Sequence, residues 1–233
     1  EDDARYYHAR SFYELGDFAS ARTEFGNFET SYPQSIYIDN ARYYLGRSFF
    51  DAGLFTEARG PFERVLLTSG STFEDDASFY HARSFYEAGD FATAQANLAA
   101  FETAHTQSIY IDNSRYYLGR SFFDAGLFAD ALGPFERVLL TTGSTFEDDA
   151  RFYHARCRFH LGDFSAAIPE FENLVALFPA SQYADNALLF EMRSHIALGN
   201  CAAAQAALTR LTTNYPASAF IPQAQADFAA GCL

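Results

Sequence analysis

Arginine recurs at Arg10, Arg47, Arg83, Arg120, Arg156 and Arg193, at steps of 36 or 37 residues, and every copy stands among aromatic side chains. A guanidinium grips a carboxylate or a peptide carbonyl through its fork of donors, and flanking rings offer stacking surface at low entropic cost. The surrounding residues recur as well: Asp3, Tyr6, Tyr13 and Glu14 around Arg10, Asn40, Tyr43, Phe50 and Asp51 around Arg47, Tyr86 and Glu87 after Arg83, and Asn113, Tyr116, Phe123 and Asp124 around Arg120. This is the chemistry of recognition, not of bond-making. A second reading stands beside it. The first four arginines are each followed four residues later by Glu14, Asp51, Glu87 or Asp124, so the set can form ion pairs along helices, in the weaker base-before-acid order, or share charges between neighbouring repeats. Exposed pairs of that kind contribute little and do not by themselves explain such regularity, so both readings stay open.

Other reactive residue types recur too. His8, His81 and His154 lie 73 residues apart, too far along the chain for one ion to hold two copies, and are expected as partly buried core histidines. The runs Glu1-Asp2-Asp3, Glu74-Asp75-Asp76 and Glu147-Asp148-Asp149 suit calcium or, with greater weight, the positive end of a helix, with Ser71 or Thr72 as caps. An active site needs a convergent and usually unique cluster, whereas these groups come in copies, and the glycines form no phosphate-cradling run. The expectation is a chain that is not an enzyme and uses no cofactor or metal.

The elements that must position these residues follow from the repetition. Glu1-Asp2-Asp3-Ala4 returns at 74–77 and 147–150, and each 73-residue unit divides again, with Ala4, Gly16, Phe18 and Ala21 matching Ala41, Gly53, Phe55 and Ala58. Six repeats are expected, at 1–37, 38–73, 74–110, 111–146, 147–183 and 184–218, with a terminal helix at 219–233. In the second repeat Leu45, Phe49 and Ala52 share one helical face, Phe55, Ala58, Phe62 and Val65 share another, and Gly53 stops the chain between them. Each repeat therefore reads as a helical hairpin that must stack on its neighbours to bury both apolar faces, giving an all-α, right-handed α-α superhelix of six hairpins and a C-terminal capping helix in a single domain. Within it Cys157 takes the small position of Ser11 and Ser84 and is expected as an inert buried thiol. Cys201 opens a second helix where Phe55 and Phe164 stand elsewhere, and Cys232 lies on the terminal helix against that hairpin; the two are expected to form a disulfide, with two reduced thiols as the alternative.

Leu45-Gly46, Phe49, Gly53, Phe55, Ala58 and Phe62, with Tyr32-Pro33 and Phe178-Pro179 between hairpins, resemble the tetratricopeptide signature over nearly the whole chain. The linkers Tyr32-Pro33-Gln34-Ser35-Ile36-Tyr37 and Phe178-Pro179-Ala180-Ser181-Gln182-Tyr183, each followed closely by Asp-Asn-Ala, resemble a bacterial envelope subfamily that includes the outer-membrane assembly lipoprotein BamD and the Tol-Pal accessory protein YbgF. The resemblance implies a periplasmic or cell-surface adaptor. It also implies that the first helices of the hairpins line a concave groove, in which Asp3, Tyr6, Arg10, Tyr13, Asn40, Tyr43, Arg47, Phe50, Arg83, Tyr86, Asn113, Tyr116, Arg120, Phe123 and Arg156 form a solvent-accessible stripe for a peptide or partner helix. Arg5, Arg42 and Arg115 stand where the wider family often has a large aromatic, and Ala104-His105-Thr106-Gln107 lacks the proline punctuation.

Composition narrows the partners. The net charge of -14 repels polyanions, so nucleic acid is excluded as a partner on average electrostatics. Apolar runs are broken too often to cross a bilayer. All 16 basic residues are arginine, which fits either a codon bias or selection for the planar fork. The chain starts at Glu1 without an apolar leader, so a targeting signal is expected to be removed or to lie outside the numbering. Self-assembly is the alternative function, because segments 35–67 and 108–140 are nearly identical and repeated surfaces favour regular packing. A domain of a larger enzyme is the least supported reading.

Overall fold

A computed structural model describes residues 1–68 and 70–232. Six helical hairpins follow one another: α1 (Asp2–Glu14) with α2 (Phe18–Ser31), α3 (Ile38–Asp51) with α4 (Phe55–Leu66), α5 (Glu74–Glu87) with α6 (Phe91–Ala104), α7 (Ile111–Asp124) with α8 (Phe128–Leu139), α9 (Glu147–His160) with α10 (Phe164–Leu177), and α11 (Ala184–Ala197) with α12 (Cys201–Asn214). A last helix, α13 (Ile221–Cys232), follows; Leu233, expected at its end, lies outside the described residues. No strand occurs among the described residues. The contacts divide the chain into two compact units, Glu1–Ser121 and Phe122–Leu233, with the division inside α7.

The turn inside each hairpin is built the same way. At Gly53 the backbone takes φ 76°, and the N–H groups of Gly53 and Leu54 return to the carbonyls of Phe50 and Phe49, both at 2.9 Å, which closes α3 and reverses the chain. The second helices then start on a side-chain cap where Asp is available: Asp17 accepts from the Ser20 N–H at 3.1 Å and Asp90 from Thr93 at 3.2 Å. Between hairpins the device differs from the expected caps. Neither Ser71 nor Thr72 caps α5; Ser71 Oγ accepts from the Phe73 N–H at 3.3 Å, a local serine turn that leaves Phe73 as the residue before the helix. Ser35 with Tyr37 and Ser181 with Tyr183 repeat the turn at 3.1 and 3.2 Å.

The acidic runs at the helix starts are receptors for these linkers. Ser35 Oγ donates to Asp2 at 2.7 Å, Ser108 to Asp75 at 2.8 Å, Ser181 to Asp148 at 2.7 Å, and Ser218 to Asp185 at 2.6 Å. The Tyr110 and Tyr183 hydroxyls donate to Asp76 and Asp149 at 2.9 and 2.8 Å. Each carboxylate thus ties the start of one hairpin to the linker that leads into the next, besides complementing the helix dipole. The linker ring then covers the core: Tyr37 stacks on Tyr6 at 4.9 Å, Phe73 on Tyr43 at 4.7 Å, Tyr110 on Phe79 at 4.8 Å, and Tyr183 on Phe152 at 4.5 Å. In the first unit Phe25, Phe28, Phe62, Leu98 and Phe101 complete a buried aromatic core; in the second, Phe135, Phe171, Leu174, Leu188 and Met192 do so.

Cys201 and Cys232 are joined by a disulfide that ties α13 to the start of α12 across 31 residues. Cys157 is fully buried, and burial pushes its thiol up to about 12, so it stays protonated and inert. Closing a loop of that length is worth about 3–4 kcal/mol in the chain-entropy account. Reductant is expected to lower the thermal unfolding midpoint of the native chain and to leave a Cys201→Ser variant unmoved. Thiol titration without reductant is expected to find one thiol, and that one after denaturation.

Candidate recognition face

Within the first unit the backbones of α1 and α3, and of α3 and α5, run close together, and the second helices α2 and α4 meet through the Glu29–Arg64 ion pair at 2.8 Å; in the second unit α9 runs beside α11 and α11 beside α13. Within each unit the first helices therefore pack side by side, and the arginines of that unit lie along their shared face. Its guanidinium groups bridge helices. Arg10 lies 4.9 Å over the Tyr44 ring, Arg47 4.0 Å over Tyr80, and Arg83 4.4 Å over Tyr117 and 5.1 Å over Phe50. In the second unit Arg156 sits between Phe123 at 4.9 Å and Phe190 at 4.7 Å, and Arg193 lies 5.3 Å from Phe190. Ion pairs accompany the stacking: Arg10 with Glu14 at 3.2 Å, Arg47 with Asp51 at 3.1 Å, Arg83 with Glu87 at 2.9 Å, and Arg193 with Asp227 at 2.6 Å. Tyr13 on α1 donates its hydroxyl to Asp51 on α3 at 2.7 Å, and its burial together with that acceptor pushes its pKa well up. Arg47 and Arg120 donate to the Tyr43 and Tyr116 hydroxyls, each at 3.1 Å.

The expected solvent-accessible stripe needs correction at its aromatic positions. Tyr6, Tyr43, Phe50, Tyr116 and Phe123 are core residues, between 1% and 9% exposed. Tyr6 and Tyr43 lie under the stacked linker rings; Phe50 is enclosed by Phe55 and Tyr80 at 5.2 Å each, and Phe123 by Phe128 and Tyr153 at 5.3 and 5.0 Å. Tyr116 holds in its hairpin the place of Tyr43. Asp3 is exposed, and Arg10, Tyr13, Asn40, Arg47, Arg83, Tyr86, Asn113, Arg120 and Arg156 are half-buried.

His8 is also corrected. It is exposed, whereas His81 is half-buried against Glu63 of α4 at 3.2 Å, and His154 is buried between Glu136 at 3.3 Å and Glu170 at 2.7 Å. The difference is a neighbour: α4 and α8 precede the hairpins of His81 and His154, and no described helix precedes α1.

An open depression in the second unit carries residues that the stripe did not include. Asn186, Leu189, Phe220 and Gln223 line it together with Arg156, Phe190 and Arg193. Asn186 Oδ1 is buried there without a hydrogen-bond partner, an acceptor with its capacity unused. Asn186 aligns with Asn40 and Asn113 at the 73-residue spacing, which is the sequence signal that would have found it.

The tetratricopeptide repeat family model matches residues 6–72, 81–145 and 118–184, and a second tetratricopeptide repeat model matches residues 192–218. The chain belongs to the tetratricopeptide repeat family. Its fold is accordingly all-α, of the tetratricopeptide solenoid type. It is similar to a tetratricopeptide repeat protein from Parabacteroides merdae, at 17% identity and TM-score 0.72, over 98% of this chain and 86% of that one. It is similar to the C-terminal part of a TPR repeat-containing protein from Cytophaga hutchinsonii, at 16% identity and TM-score 0.76, over 96% and 87%. It is similar also to YrrB, described as a TPR protein with an unusual peptide-binding site, at 13% identity and TM-score 0.68, over 87% and 97%. At such identities the likeness concerns the fold. A comparison with curated proteins gave no match. No enzymatic family is indicated, and tetratricopeptide proteins are generally non-catalytic scaffolds suited to protein–protein interaction. Among the described residues no helix is long and apolar enough to cross a membrane.

Proposed function

We propose that this chain is an adaptor that binds an extended peptide segment of another protein on the face of its first helices, centred on the depression lined by Asn186, Phe220 and Gln223. The carrying observation is the buried Asn186 Oδ1 with no partner, beside the exposed Gln223 amide and the Phe220 ring. A peptide N–H would satisfy the Asn186 acceptor, and an apolar side chain would cover the half-buried Phe220 ring. The fold likeness to YrrB, whose description names a peptide-binding site, supports the reading. In the first unit, taken by itself, the exposed or half-buried Asp3, Arg10, Tyr13, Asn40, Tyr86 and Asn113 offer a surface of the same chemical kind. The linker resemblance and the Cys201–Cys232 disulfide support an oxidising compartment, and with it the periplasmic or outer side of a bacterial envelope.

Self-assembly has an observation of its own. Ile36, Leu67, Ile109 and Leu140 are 83–85% exposed and recur in two pairs 73 residues apart, which is the pattern of a repeated apolar contact. One set of measurements separates the two readings. Peptides selected from a random display library on the immobilised chain are expected to bind wild type and to lose tenfold or more affinity to Asn186→Ala and Phe220→Ala, while light scattering shows a 26.0 kDa monomer. Peptide binding indifferent to both variants sinks the proposed site, and mass that grows with concentration favours self-assembly.

A further inference from the structure

The repeats act as an internal comparison, and they show one hairpin where a charge pairing has been rewritten. At equivalent positions, His81 faces Glu63 at 3.2 Å and His154 faces Glu136 at 3.3 Å, each a histidine on a first helix against a carboxylate on the preceding second helix. In the sixth hairpin the histidine position holds Glu191, and the facing carboxylate position on α10 holds Glu172. Two carboxylates thus meet where the third and fifth hairpins place a carboxylate and an imidazole and the second and fourth hold Leu45 and Leu118 on the first helix. One turn further along α11 is His195, four residues after Glu191 and so on the same helix face. A ligand atom of Glu172, of Glu191 and of His195 all lie within 4.8 Å of one another.

We propose that Glu172, Glu191 and His195 form a binding site for one divalent transition-metal ion of the zinc class. Three observations carry it. The donor set, one imidazole nitrogen and two carboxylate oxygens, is that of zinc, cobalt and nickel sites, and it falls short of the six to eight oxygens that calcium takes. His195 Nδ1 is buried without a hydrogen-bond partner, so the ring holds a nitrogen that nothing in the protein satisfies. Glu191 is 2% exposed, and Arg210 Nη1 donates to its two oxygens at 2.8 and 3.1 Å. That contact fixes the carboxylate while leaving it lone pairs, as the outer partners of metal ligands do. Two carboxylates against one guanidinium leave a net negative charge, which a divalent ion offsets. The site lies on α10 and α11 apart from the depression at Asn186 and does not depend on peptide binding there.

The test uses the full chain after chelator treatment, titrated with zinc chloride by calorimetry and with cobalt chloride by visible absorption. One-to-one binding is expected, with a cobalt spectrum that reports nitrogen and oxygen ligation. Glu172→Gln and His195→Ala are each expected to weaken binding by tenfold or more and to remove the rise in thermal midpoint that zinc gives wild type. Glu172 is exposed, so its substitution keeps the fold and the comparison interpretable. His105→Ala, in another hairpin, is expected to leave affinity unchanged. Absence of one-to-one binding, or equal affinity in wild type, Glu172→Gln and His195→Ala, overturns the proposal.

Discussion

Phe62→Ala is expected to destabilise the chain by about 3–5 kcal/mol, and Gly46→Ala by about 1–3 kcal/mol, with the double variant clearly less damaged than the sum. Phe62 is fully buried on α4. A Cβ placed on Gly46 of α3 would lie 2.6, 2.7 and 2.9 Å from three carbons of its ring, so the two helices reach their separation because position 46 has no side chain. Removing the ring leaves a cavity; adding the methyl forces the ring or the helix to move. Doing both puts the methyl into the vacated space, and the coupling is expected to recover about 1 kcal/mol or more. The first hairpin bounds the cost, because Ala9 occupies the position of Gly46 there and still packs beside a fully buried Phe25. An alanine is therefore tolerable where the backbones stand slightly apart. Urea denaturation followed by helical circular dichroism checks the cycle, and strictly additive costs would show that Gly46 does not set the approach of α3 to α4. Because, among the described residues of the first unit, helix contacts run between successive hairpins, damage at Phe62 is also expected to broaden the transition as the hairpins uncouple.

The hairpins were legible because everything that makes them is local. The spacing of Phe55, Ala58, Phe62 and Val65, with a glycine at Gly53 free to take φ 76°, states a helix, a reversal and a packed face within some twenty residues. The disulfide was legible for the same reason, since Cys201 replaces a ring at a known turn and Cys232 follows one helix later. Exposure on the first-helix face was not legible. Periodicity puts Tyr6 and Tyr43 on that face, but whether they see solvent depends on Tyr37 and Phe73, which arrive about thirty residues later and stack on them. His8 and His81 share a sequence context and differ in exposure because α4 supplies Glu63 to one of them. A signal for the linker locks did exist: a serine two residues before an aromatic, returning 33 residues after Asp2, Asp75, Asp148 and Asp185. Read alone, the acidic runs suggested helix starts; read against those serines, they state which linker each start receives.

Arg47 is where the two readings of the arginine ladder separate, and Arg47→Ala is expected to cost about 2–4 kcal/mol. Its side chain is 20% exposed, its guanidinium lies 4.0 Å from the Tyr80 ring of the next hairpin, and it donates to both Asp51 oxygens at 3.3 and 3.1 Å and to the Tyr43 hydroxyl at 3.1 Å. Truncation would leave the Asp51 carboxylate, 24% exposed and also accepting from Tyr13, without its cation, and would open a gap over Tyr80. Arg47→Lys is expected to recover little, because an ammonium has neither the plane that lies on Tyr80 nor the fork that reaches Asp51 and Tyr43 together. Arg10→Ala is expected to cost less than about 1 kcal/mol, since Arg10 is 39% exposed and its pair with Glu14 faces water. Urea denaturation measures all three, and amide exchange in α3 and α5 locates the loss. If Arg47→Ala leaves stability intact yet removes peptide capture, Arg47 reads a ligand. If it loosens α3 from α5, the ladder is a clamp between repeats, and recognition then belongs to groups the clamp leaves unused, foremost Asn186.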